Sequence, residues 1–142
     1  MTTISSTSAF PAAERATPQT AFLRRLLKVD AALSAASALP MLVASNWLGG
    51  LTGLPTALLF GAGLFLLAWV AALAWLATRE RLPRPLLWAV ALLNLGWTLD
   101  CAWVAFGAAF ATTALGQGFL ALQGVTTLLL ADLMLWALWR SR

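Results

Sequence analysis

The sequence has no histidine, no tyrosine and one cysteine, Cys101. These absences exclude much chemistry. A single cysteine cannot close an intramolecular disulfide or form a Cys-pair redox centre, and His-ligated haem or zinc has no ligands within one chain. The usual general base of nucleophilic catalysis is also missing. No glycine-rich phosphate loop, Ser–His pair or metal-ligand cluster is present. No catalytic residue, metal site or cofactor is therefore expected, and the chain reads as a non-enzyme. Charge is scarce too: charged residues are 10% of the 142, against roughly a quarter in an average soluble domain.

What the chain has is apolar surface. Hydrophobic residues make up 61% of it, with a mean hydropathy of +0.85. A chain of this size cannot hide so much apolar surface in one water-soluble core, so a membrane protein is expected. About twenty apolar residues cross a bilayer as a helix. Four stretches qualify, at about 26–44, 55–78, 86–107 and 113–138. Residues 1–20, rich in Ser, Thr, Ala and Pro, read as a disordered tail, and 21–142 as a four-span membrane domain. Arg24-Arg25 followed by Ala36-Ser37-Ala38 has the outline of a cleaved export signal. Lys28 and Asp30 interrupt its apolar region, so an uncleaved first span is expected.

The basic residues predict an orientation. Arg15, Arg24, Arg25 and Lys28 precede the first span, Arg79, Arg81 and Arg84 separate the second and third, and Arg140 and Arg142 end the chain. The other two connections, 45–54 and 108–112, carry no charge. By the positive-inside rule both termini are cytoplasmic. These residues are spread over helix ends rather than clustered on one face, so the bilayer, and not nucleic acid, is the expected partner. The fold expected is all-α: a four-helix transmembrane bundle, up-down-up-down, with sequential helices as neighbours. The first span, lined with Ala31, Ala32, Ser34, Ala35, Ala36, Ser37 and Ala38, should be enclosed by the others, since small residues let helix backbones approach closely.

Polar residues at membrane depth are the candidates for function. Asn94, Thr98 and Cys101 share one helix face, and Gln123 and Thr127 another. Together with Ser34 and Ser37 of the first span and Thr126 of the fourth, they should point inward, either hydrogen-bonding between helices or lining a polar pocket walled by Trp69 or Trp97. Asp100 is the sharpest feature. It falls about 5 Å outward of the middle of the third span, with no Lys or Arg in the same leaflet. An ionised Asp at the bilayer centre costs about 2.5–3.5 kcal/mol on insertion scales, so this carboxyl should be neutral or reach water or another subunit. Asp30 and Asp132 fall nearer the cytoplasmic ends. They are expected to pair with interfacial basic residues such as Arg24, Arg25 and Lys28, or to snorkel to the cytoplasm.

Val29-Asp30-Ala31, Gly53-Leu54-Pro55, Asn94-Leu95-Gly96-Trp97, and Thr113-Ala114-Leu115-Gly116 with Phe119 and Gln123 carry a resemblance. Over about 28–132 the chain resembles a group of small bacterial four-span integral membrane proteins of unknown function. The resemblance implies the same architecture and draws interest to Asp30, Asn94, Trp97 and Gln123. Asp100 departs from that group's pattern, where a small residue is more usual. The expected role is that of an inner-membrane accessory or interaction subunit, associating through small-residue helix faces as a homo-oligomer or with another membrane protein. The alternative is a small proton-coupled transporter or channel-like oligomer using Asp100 and the polar midplane layer.

Overall fold

The computed structural model describes residues 17–107 and 109–140. It is all-helical, and four of its helices are long and apolar enough to cross a membrane. The expected tail falls mostly outside the described residues. Its last part does not. Helix α1 spans Pro18–Val43, eight residues earlier than hydropathy places the first span. The start is written in the sequence: the Thr17 side chain accepts from the Thr20 amide at 3.3 Å, and Pro18 stands where a missing N–H costs nothing. Polar and basic residues fill the added turns, so hydropathy missed them.

The neutral connection after the first span is itself helical. Helix α2 covers Ser45–Thr52 and ends at Gly53, whose φ of 74° lies in the left-handed region that glycine enters without steric cost. Helix α3 runs Thr56–Thr78, α4 Arg84–Phe106 and α5 Ala114–Arg140. Thr113 starts α5, its hydroxyl accepting from the Gly116 amide at 3.1 Å and donating to the Leu51 carbonyl at 2.6 Å.

Side chains to carbonyls bring four helix ends together. The Arg24 guanidinium donates to the carbonyls of Ala77 and Arg79, Gln19 to Ala137 at 2.6 Å, and Arg84 to Leu138 at 2.9 Å. The beginnings of α1 and α4 therefore lie with the ends of α3 and α5. At the opposite end α2 packs on α3 and α5, where the Thr113 amide donates to the Thr52 carbonyl at 3.0 Å.

The helices are not all sequential neighbours. Among the described residues α1 packs chiefly on α3 and α4 chiefly on α5, and no backbone contact joins α3 to α4. The two are joined by the non-helical stretch 79–83, extended at Arg79 and Pro83 and bent at Glu80 and Arg81, rather than by a tight helical hairpin.

Nor is α1 enclosed. Its buried face is Leu23, Leu26, Leu27, Asp30, Ser34, Ala38 and Met41, while Ala32, Leu33, Ala36 and Leu39 face outward. The small residues wrap around the helix, so a single packing face uses only some of them. The core divides into a cluster around Leu27, Leu73, Leu87 and Met134 and another around Met41, Leu59, Leu66 and Leu120. The polar layer described next lies where α1, α3, α4 and α5 converge.

Candidate functional site

Asp30 is the thirteenth residue of the 26 in α1, at the middle of the helix rather than near its first turn. It is 1% exposed. Two donors converge on its carboxyl: Asn94 Nδ2 on α4 lies 2.6 Å from Oδ2, and Ser34 Oγ one turn along α1 lies 3.2 Å from Oδ1. This corrects the expected ion pairing. Arg25 and Lys28 are exposed on other faces of α1, and Arg24 is directed to backbone carbonyls at the end of α3. The cause is the early start of α1, which carries Asp30 about four turns into the helix. The Thr17-Pro18 pair was the available signal, together with the recurrence of Asp30, Ser34 and Ala38 every fourth residue.

A second pair lies beside the first. Trp97 Nε1 donates to Gln123 Oε1 at 3.2 Å, and the Trp97 ring stacks on Phe65 of α3, with centroids 5.6 Å apart and planes 5° from parallel. An indole N–H can only donate, so this bond fixes which end of the Gln123 amide meets Trp97. The other end, Nε2, is buried and has no hydrogen-bond partner among the described residues. Thr98 completes the layer: its hydroxyl pairs with that of Thr127 at 2.9 Å and lies 3.0 Å from the Asn94 carbonyl. Cys101 is buried one turn beyond, with its Cβ facing Gly124.

The structure thus gathers the expected Ser34, Asn94, Trp97, Thr98, Gln123 and Thr127 into one layer, with Trp69 lining a small cavity beside Asn94 and Trp97, and adds Asp30. Asp100 is not part of it. It is exposed on the outer face of α4, as Asp132 is on α5. On α4, Asn94 and Cys101 define the buried stripe, and Asp100 is 100° of helical rotation from Cys101, off that stripe.

A cavity of about 290 Å³ opens between α1 and α5, with Asp30, Ser34, Ser37, Trp97, Gln123 and Thr126 on its wall. Leu33 and Leu122, 43% and 69% exposed, stand at its rim. Its mouth therefore faces sideways out of the bundle. The volume is near the lower end of the range for small-molecule pockets, and a mostly apolar wall with a few convergent polar groups suits such a ligand. Among the described residues no group of three or more His, Cys, Asp or Glu is placed to hold a metal ion. Comparison of the chain with family models, with curated proteins and with solved structures finds no match.

Proposed function

We propose that the chain is a multi-pass protein of a bacterial inner membrane, an up-down-up-down bundle with both termini cytoplasmic, whose working part is a small-molecule site inside the bundle. The observation that carries this reading is Asp30: a carboxyl with no basic partner among the described residues, held by neutral donors at the wall of a cavity that Gln123, with its unpartnered Nε2, also lines. Intramembrane carboxyls mark ion, proton or substrate sites more often than they serve packing alone. The alternative expected from the sequence, a small transporter or channel-like oligomer, thus moves from Asp100 to Asp30. The reading is tested by native mass spectrometry of protein released from its own membrane. Thr126→Trp fills the cavity from α5. A bound small molecule carried by the wild type and absent from this variant supports the site, and identical spectra from both count against it.

A second reading is favoured by a separate observation. Where a Cβ would stand on Gly61, Gly96 and Gly118 there is no neighbouring atom within 4 Å, and Gly96 lies one turn from the exposed Asp100. Open small residues on outward helix faces suit close approach by another helix. That is the accessory or interaction subunit, a homo-oligomer or a partner of another membrane protein. Its test is purification in gentle detergent: a stoichiometric companion supports it, and a monomer alone opposes it.

A further inference from the structure

We propose that the cavity between α1 and α5 takes an organic cation from the bilayer, one whose head group also carries a hydroxyl or carbonyl oxygen. The proposal rests on the intrabundle site and names its ligand. Charge is the first ground. Among the described residues both groups hydrogen-bonded to the Asp30 carboxyl, Ser34 Oγ and Asn94 Nδ2, are donors, and an amide nitrogen cannot act otherwise. Such a shell is shaped for a carboxylate, which only accepts. Yet the charged groups of the surrounding helices face elsewhere: Arg25 and Lys28 of α1 and Asp132 of α5 are exposed, as is Asp100 of α4. A buried carboxylate needs a counter-charge, and a cation in the cavity supplies it.

The second ground is the Gln123 amide. Its oxygen is engaged by Trp97, and its buried Nε2 has two donor hydrogens and no acceptor among the described residues. An orphaned buried donor is costly, and more so away from water. An oxygen on the ligand head satisfies it. Trp97, stacked on Phe65 and therefore held in orientation, lines the same cavity and offers its ring to a cation. The route of access is the third ground. The rim residues Leu33 and Leu122 are exposed on the sides of long apolar helices, so the mouth opens toward lipid and the ligand arrives with its tail in the bilayer.

The experiment uses the full chain in nanodiscs and radiolabelled decyl(2-hydroxyethyl)dimethylammonium, which carries a cation, a hydroxyl and an alkyl tail. Saturable binding above empty nanodiscs is expected, displaced by the unlabelled cation and at least tenfold less well by decanol or decyl sulfate. Asp30→Asn is expected to weaken binding at least tenfold, and Asp100→Asn to leave it unchanged. Decyltrimethylammonium, which lacks the oxygen, should bind less tightly to the wild type and equally with the hydroxylated cation to Gln123→Leu. That variant removes a buried amide whose Nε2 is unpartnered, at the loss of one bond from Trp97, and its fold is checked by its thermal unfolding beside the wild type. No saturable binding, or equal binding by wild type and Gln123→Leu, overturns the proposal. Tighter binding of decanol overturns the cation while leaving the intrabundle site standing, and a cavity-filling Thr126→Trp that changes nothing removes both.

Discussion

Asn94 Nδ2 stands 2.6 Å from Asp30 Oδ2 and joins α4 to α1, two helices that are not backbone neighbours. The bond closes the gap between the α1–α3 pair and the α4–α5 pair from inside the bundle. Hydrogen bonds between membrane helices average about 0.6 kcal/mol, because the separated helices find other partners. A buried carboxyl deprived of its donor should lose more, about 1–3 kcal/mol. Asn94→Ala is therefore expected to destabilise the bundle by that amount in SDS-driven unfolding from mixed micelles. Combined with Asp30→Leu, the two losses should fall short of their sum by about 1 kcal/mol. Strictly additive losses would show that the pair contributes nothing as a pair.

Asp100 is expected to behave in the opposite way. Its side chain is exposed on the outside of α4, on the same face as Leu93 and Gly96. A polar carboxyl there carries an insertion cost, and leucine does not. Asp100→Leu should leave unfolding unchanged or raise its midpoint, while Asp30→Leu lowers it. If Asp100→Leu instead reduces the size of the purified particle, the outward face belongs to an interface, and the accessory-subunit reading gains.

How legible these two aspartates were in the sequence differs for a physical reason. Spacing on α4 and α5 was enough to gather Asn94, Thr98, Gln123 and Thr127, because a regular helix repeats its faces every three to four residues. Four spans were legible because length and hydropathy are local properties. Asp30 was misjudged because depth depends on where a helix begins, and the first two turns of α1 are polar and carry no hydropathy signal. Asp100 attracted notice as a charge in an apolar run, yet which side of a helix meets its neighbours is a tertiary fact. The spatial order of the helices was hidden likewise, since which helices pack together is a tertiary fact that no local property carries.

Gly116 and Gly118, two residues apart on α5, separate packing from exposure. A Cβ on Gly116 would overlap the backbone carbonyl of Thr52, which the Thr113 amide holds at 3.0 Å. Backbone cannot swing aside as a side chain can, so Gly116→Ala should cost about 1–3 kcal/mol by forcing α2 from α5. Gly118 has open space at the same position. Gly118→Ala should gain about 0.5–1 kcal/mol from reduced backbone freedom in the unfolded chain. Thermal unfolding of the two variants in one detergent checks the contrast, and equal shifts would mean that α2 is not seated on α5.

Orientation follows from charge and geometry together. Arg24, Arg79, Arg84 and Arg140 belong to helix ends that meet at one end of the bundle, while α2 and the start of α5 at the other end carry no charged residue. Basic residues near span ends resist translocation, and an end without them passes freely. A green fluorescent protein fused after Arg142 should fluoresce, and alkaline phosphatase inserted after Gly50 should be active outside the cytoplasm. Replacing Arg79, Arg81 and Arg84 with Gln while adding three lysines beside Asn46 should yield a mixed population, since the two ends then compete. An active phosphatase at the C terminus of the unaltered chain would reverse the orientation, and a reporter signal untouched by the charge exchange would show that something other than charge sets it.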